Sequence, residues 1–250
     1  GMEERARQTL ENLSGTLDEE SMIHLNATAE AWGDYGTAAG LYFGREPEEG
    51  GEVWVVAARI AGWTLRHLQL VTISLALAIL AGIPLGIRGS KPGWFSRLLL
   101  GTVGVVYTIP SLALLAVLVA VPFLGIGTRT AIVALFLYSL LPIVRNTASG
   151  LASIPREIRE SARALGLEPR ARLWRIYLPM ASPTILAGIK TSAVINIATA
   201  TLAALIGVGG LGEPILSGIN LNDGGVILQG AIPAALLAIA VQALFDVLEG

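Results

Sequence analysis

Glu160-Ser161-Ala162-Arg163-Ala164-Leu165-Gly166, followed across nine residues by Ile176-Tyr177-Leu178-Pro179, lies between two long apolar stretches. Local chemistry predicts a helical hairpin here. Ser153 can cap a helix N-terminus, and Pro155 is tolerated in a first turn. A helix over Ile154–Leu165 would end at Gly166, the residue best able to take a left-handed C′ conformation. Pro169 follows, and a second short helix from about Arg170 to Tyr177 leads into Leu178-Pro179 and the next apolar stretch. The loop of about 150–180 is thus expected to be a rigid, arginine-rich hairpin joining two hydrophobic elements.

Those hydrophobic elements dominate the chain. It is 53% hydrophobic and 14% charged, with no cysteine, and its mean hydropathy is +0.65. Soluble domains carry about 25% charged residues. A bilayer core needs about 20 apolar residues per helix. Five stretches meet that need: about Leu65 to Ile87, Leu98 to Leu124 with Pro110 inside it, Thr130 to Thr147, Pro183 to Ile206 and Val226 to Leu248. Buried helices of a large soluble protein would carry more charge between them, so the chain reads as an all-α integral membrane protein with five transmembrane helices. Twelve of the nineteen acidic residues precede Val53. That imbalance divides the chain into an acidic head, 1–52, and a membrane domain, 53–250. The lack of cysteine excludes disulfides and thiolate metal sites. Gly1 stands ahead of Met2, which fits either a processed fragment or a glycine left from a tag.

Positive charge orients the spans. Arg88, Lys91 and Arg97 lie between the first two, and Arg145, Arg156, Arg159, Arg163, Arg170, Arg172 and Arg175 cluster between the end of the third and the fourth. The opposite side holds Arg129, and no Lys or Arg occurs from Ile206 to Gly225. Both basic loops are therefore expected in the cytoplasm, with the N-terminus and head outside and the C-terminus inside. Trp54, Trp63 and Trp94 suit interfacial anchors or ordinary packing.

The pattern E-x-A-x-x-x-G-x₉-I-x-L-P resembles the signature loop of the membrane subunit in binding-protein-dependent type I ABC importers. That signature starts E-A-A, and Ser161 here replaces its first Ala. The resemblance implies the type I importer (MetI-like) fold, with this loop as the coupling helix seated in a cleft of a separate ATPase. Glu160, Ala162, Gly166, Ile176, Leu178 and Pro179 would then be the coupling residues. Ala162 would let backbones approach, Gly166 would aim the helix, and Glu160 would offer charge to the partner or to first-turn amides. A Walker A loop requires Gly immediately before Lys-Ser/Thr; Ile189-Lys190-Thr191 and Ser90-Lys91-Pro92 fail that test. The chain is thus expected to be a transport subunit and not an enzyme, with ATP and Mg bound by partner ATPase subunits and no cofactor or metal of its own. A second permease copy, identical or closely related, is implied, and no nucleic acid. The competing reading of the loop is a basic amphipathic segment resting on anionic membrane lipid.

From Leu65 to Leu248 the chain is similar to permeases of osmoprotectant importers, the glycine betaine/carnitine/choline group. The similarity rests on the signature loop together with Thr108-Ile109-Pro110-Ser111, Leu141-Pro142-Ile143-Val144-Arg145-Asn146-Thr147 and Leu205-Ile206-Gly207-Val208-Gly209-Gly210-Leu211-Gly212-Glu213-Pro214. It implies import of glycine betaine, choline, carnitine or proline betaine across a prokaryotic cytoplasmic membrane. Another small solute such as an amino acid, or a passive osmosensory channel, are the alternatives. In the head, the run Leu13 to Asn26 is similar to the last helical segment of the binding proteins serving such importers. That implies a fusion in which the head is the tail of a substrate-binding domain, with Arg45–Glu52 as linker. Asp18-Glu19-Glu20 suits a positive helix N-terminus on either that reading or the simpler one of an ordinary acidic helix.

Other signals are weaker. Gly207-Val208-Gly209-Gly210-Leu211-Gly212 matches a dinucleotide fingerprint, but it follows a membrane helix and lacks the acidic residue about 20 positions on. An outer turn approaching the binding protein suits it better, with Gly209, Gly210 and Glu213 as candidate docking residues; Glu213 and Asp223 would otherwise be solvated charges. Ser192, Asn196, Thr199 and Ala203 fall on one face of the fourth span. That face would line a translocation path together with Pro110, or pack helices closely. Lys190 is expected to snorkel. His24 and His67 lie far apart and form no catalytic or metal set.

Overall fold

The computed structural model describes residues 18–32, 35–44 and 51–249, and every regular element among them is helical. The binding-protein similarity over Leu13–Leu17 and most of the linker lie outside the described residues. In the head, α1 (Glu19–Trp32) and α2 (Tyr35–Tyr42) are short. Asp18 Oδ1 accepts the Ser21 amide at 2.8 Å, capping α1 with Glu19 and Glu20 in its first turn. Hydrogen bonds from Ser21 hold the Asp18 carboxyl below its ordinary value.

The first membrane helix, α3 (Gly51–Gly89), has 39 residues, a length of roughly 58 Å at 1.5 Å per residue. It begins well before Leu65, because Val53 to Trp63 is itself apolar apart from Arg59 and nothing there stops a helix. A bilayer core is about 30 Å thick, so α3 projects beyond it.

The second span is broken at Pro110. α4 (Trp94–Thr108) and α5 (Ser111–Val119) meet at 96°. Pro110 lacks an N–H, and it forces Ile109 out of the helical region. Ile109 sits at ψ 128° and Pro110 at ψ 136°. Two extended residues in succession turn the chain where a lone proline inside a helix would only bend it. The Tyr138 hydroxyl donates to the half-buried Ile109 carbonyl. Tyr138→Phe should therefore lower the unfolding temperature, by an amount matching roughly 0.5–1.5 kcal/mol, the net worth of one such hydrogen bond. An unchanged melting curve would remove Tyr138 from the account of the break.

The third span, α6 (Thr128–Ala152), is central and packs against both α3 and the fourth span. Glycines permit this. A Cβ on Gly82 of α3 would lie 2.7 Å from Ile143 Cγ2, and one on Gly188 of the fourth span 2.8 Å from the Pro142 carbonyl oxygen. Small residues replace the hydrophobic drive that lipid does not supply.

Beyond the hairpin helix α7 (Arg156–Ala164), the chain runs as α8 (Pro169–Arg172), a π-helical turn (Leu173–Tyr177), α9 (Leu178–Ala200) and a 3₁₀ turn (Thr201–Ile206). Pro179 accounts for the π turn. It cannot donate to residue 175, and widening the turn lets the Leu178 amide bond the Leu173 carbonyl instead. The fourth span is therefore longer at its start than Pro183 implies. Next comes α10 (Gly212–Leu221), where only a turn is expected from the sequence. Glu213 and Pro214 in its first turn and a left-handed Asn222 at its end are legible helix signals. α11 (Gly224–Glu249) is apolar over most of its length and forms an outer wall, with Leu228, Leu236 and Ile239 exposed.

Candidate functional site: the coupling hairpin and the polar helix face

The hairpin forms in the expected place with different caps. Ser153 terminates α6 and does not start α7. Its amide bonds the Ser149 carbonyl at 2.9 Å and its hydroxyl the Gly150 carbonyl at 2.9 Å, while its ψ of −9° keeps it helical. An N-cap needs extended geometry. The residue holding it is Pro155, at ψ 145°. Gly166 has φ +72° and its amide bonds the Arg163 carbonyl at 3.0 Å, ending the helix as the sequence predicts.

Ala162 is buried, Ile176 and Leu178 are half-buried, and Pro179 is exposed; Leu178 packs with Leu151 and Ile154 at the hairpin base. Glu160 pairs with exposed Arg156 at 2.6 Å. As the fifth residue of α7 it does not serve the first-turn amides; Glu157 occupies that turn. Arg159 is the residue that sequence reasoning missed. Its Nε bonds the Ile154 carbonyl at 3.2 Å, its guanidinium also donates to the Leu151 carbonyl, and it lies 5.3 Å over the Tyr177 ring. One side chain thus ties α7 to the end of α6 and to the π turn. No local pattern marks it among so many arginines. Leu165 and Trp174 remain exposed beside the hairpin.

The polar face of α9 divides by depth. Ser192 is buried and its hydroxyl donates to the Ser139 carbonyl of α6 at 2.9 Å. Asn196 is buried too, and its Nδ2 donates to Ser74 Oγ of α3 at 3.1 Å. Thr199 and Ala203 instead line a cavity of about 20 Å³ with Ser111, Leu115 and Tyr138, beside the break at Pro110. That volume suits about one water. The structure therefore brings Thr199 to Ser111, the residue after Pro110, and sets Ser192 and Asn196 apart, between helices.

At the opposite end from the hairpin, Gly207, Gly209 and Gly210 all have positive φ. The turn folds back on α3. Arg66 Nε donates to the Val208 carbonyl at 3.2 Å and its Nη2 to Thr128 Oγ1 at 2.6 Å. Gly210 packs on buried His67, whose Nε2 lies 3.0 Å from the Ile197 carbonyl oxygen. Gly210 thus faces inward, Gly209 is half-buried, and Glu213 is exposed within electrostatic reach of Arg59. Asp223 is not simply a solvated charge. Its Oδ1 accepts the Gly225 and Val226 amides at 2.8 and 3.2 Å and caps α11.

Lys190 does not merely snorkel, because its ammonium pairs with Asp246 near the end of α11. Nothing local in sequence links positions 190 and 246. Double-mutant cycles of Lys190→Met and Asp246→Leu should give a coupling energy of about 0.2–1 kcal/mol, the range of partly exposed pairs. Strict additivity would show that the pair holds nothing together.

Residues 75–250 match the family described as "Binding-protein-dependent transport system inner membrane component". The osmoprotectant import permease protein OsmW of Salmonella typhimurium is 41% identical over 196 residues, covering 77% of this chain and 91% of the relative. The choline transport system permease protein OpuBB of Bacillus subtilis is 40% identical over 186 residues, covering 74% and 85%. Among solved structures, a chain of the MetNI methionine ABC transporter in an inward-facing conformation superposes with a TM-score of 0.67 at 22% identity, covering 74% of this chain and 92% of that one. That likeness shows the fold.

Proposed function

The chain belongs to the family of binding-protein-dependent transport system inner membrane components, and from that premise we propose that it is the transmembrane subunit of an ATP-driven importer for a small zwitterionic osmoprotectant such as glycine betaine, choline or carnitine. The similarity to osmoprotectant and choline permeases over most of both chains carries the solute class. The hairpin carries the coupling. A nine-residue helix, ended by a left-handed glycine and braced by Arg159, is rigid enough to transmit a push from a separate ATPase. Glu160, Gly166 and the exposed Leu165 would meet that partner, and Ile176, Leu178 and Pro179 would relay motion through the π turn into α9.

The basic ends of the helices gather with the hairpin. Ser90, Lys91, Arg163 and Arg172 line one cavity there, which supports placing this end in the cytoplasm and the head outside. Pro110 and Thr199 would sit on the solute path, and Glu213 would face the binding domain. Two copies of the chain, or one and a close relative, would enclose the path.

The test is uptake of radiolabelled glycine betaine into proteoliposomes holding the permease, its ATPase and its binding domain. Uptake that requires ATP is expected. ATP-coupled uptake of an amino acid but not of quaternary amines would sink the solute class, and flux indifferent to ATP would sink the importer.

A further inference from the structure

Two cavities meet at Ile87, where α3 leaves the membrane region beside the hairpin. One, of about 530 Å³, is basic: Lys91, Arg163, Arg170 and Arg172 line it with Tyr177, and no acidic side chain does. Arg159 also borders it, but its guanidinium is engaged by backbone carbonyls. The hairpin's acids lie elsewhere, with Glu160 paired to Arg156 outside the basin. The other cavity, also about 530 Å³, is apolar, walled by Ile83, Leu178, Ile185, Leu186 and Ile189, with Trp174 at its rim. Each volume falls inside the roughly 300–1,000 Å³ usual for ligand sites.

A cationic basin opening onto an apolar slot fits neither a soluble anion nor a neutral lipid. A soluble anion would leave the slot empty, and a neutral lipid would leave four cations unmatched. The slot also lies between α3, α9 and the end of α11, deeper among the spans than the hairpin, where a docked soluble protein would not fill it. We propose that the paired cavity holds one anionic glycerophospholipid, its phosphate against Lys91, Arg163, Arg170 and Arg172 and an acyl chain in the slot beside Leu186. The site goes beyond the importer assignment and rests only on these helices spanning a membrane.

Each juxtamembrane Lys or Arg contributes roughly fivefold to anionic-lipid affinity, so removing three should weaken binding on the order of a hundredfold. The experiment is native mass spectrometry of the delipidated permease–ATPase complex, titrated with dioleoylphosphatidylglycerol or dioleoylphosphatidylcholine. One phosphatidylglycerol per permease chain should be retained in preference to phosphatidylcholine. K91Q/R170Q/R172Q should lose that preference, and the charge-conserving K91R/R170K/R172K should keep it. Leu186→Trp, which fills the slot and alters no charge, should weaken retention by itself, and it decides the matter if the glutamine variant fails to fold. Glycerol 1-phosphate should not displace the lipid. Equal retention of both lipids, full retention by the glutamine or tryptophan variants, or displacement by glycerol 1-phosphate would each overturn the site. So would binding to the permease alone that vanishes once the ATPase is present, because the basin would then be an ATPase contact.

Discussion

Replacing Gly166 with valine is expected to cut ATP-driven uptake while the protein still folds and inserts. Gly166 holds φ +72°, yet a Cβ there would meet nothing within 4 Å. The cost is therefore backbone strain alone, about 1–2 kcal/mol for an L-residue forced left-handed and more for a β-branched one. The cheapest relief is to unwind the last turn of α7 and re-aim the helix, which leaves the spans untouched. A penalty of that size shifts the population of correctly seated helix roughly five- to thirtyfold. Asparagine tolerates the left-handed region, so Gly166→Asn should retain most uptake, with Gly166→Ala between the two. Uptake rates and melting temperatures across the series separate the effects. Wild-type uptake in the valine variant would mean that the helix end does not aim the coupling, and a collapsed melting temperature would mean that Gly166 serves the fold instead.

Gly86→Val should have the opposite signature and destroy the fold. Gly82 and Gly86 form a G-x-x-x-G pair on α3 facing α6, and a Cβ on Gly86 would lie 2.8 Å from Thr147 Cγ2 and 2.9 Å from the Val144 carbonyl oxygen. The second neighbour is backbone and cannot rotate away, so α3 and α6 must separate. Overpacking a close-packed core costs about 1–3 kcal/mol and more where the neighbours cannot give, and valine adds three carbons against backbone. Gly86→Ala should lower the unfolding temperature measurably, and Gly86→Val should fail to yield monodisperse protein from detergent. Gly62 on the same helix meets nothing within 4 Å, so Gly62→Ala should leave stability unchanged or raise it by up to about 1 kcal/mol, the helix propensity alanine gains over glycine. Equal effects at positions 62 and 86 would show that helix propensity, and not close approach to α6, governs both.

These two glycines differ in how far away the reason for each lies. Gly166 is legible because its reason is local: an amphipathic helix needs an end, and a left-handed residue followed by Pro169 supplies one. Gly86 is hidden because its reason is Thr147, sixty-one residues away. The same division runs through the candidate site. The spacing of Ser192, Asn196 and Thr199 correctly places them along one helical face. Which of them bonds to Ser139 or Ser74, and which borders a cavity, depends on where α3 and α6 lie against that face. Arg159 is one of many arginines in its loop, and only the nearness of the Leu151 carbonyl and the Tyr177 ring sets it apart.

The membrane-spanning segments, the basic hairpin between two of them and its glycine stop are all legible in the linear chain. Each of these answers to a constraint acting on neighbouring residues: bilayer thickness, charge asymmetry and the steric limits of the left-handed backbone. The 96° break of the second span, the role of Ser153 as the end of one helix instead of the start of the next, and the meeting of Lys190 with Asp246 come from packing in three dimensions. In lipid, polar and charged groups must find partners inside the protein. Those partners come from whichever helix packs alongside, and the chain's linear order does not name it.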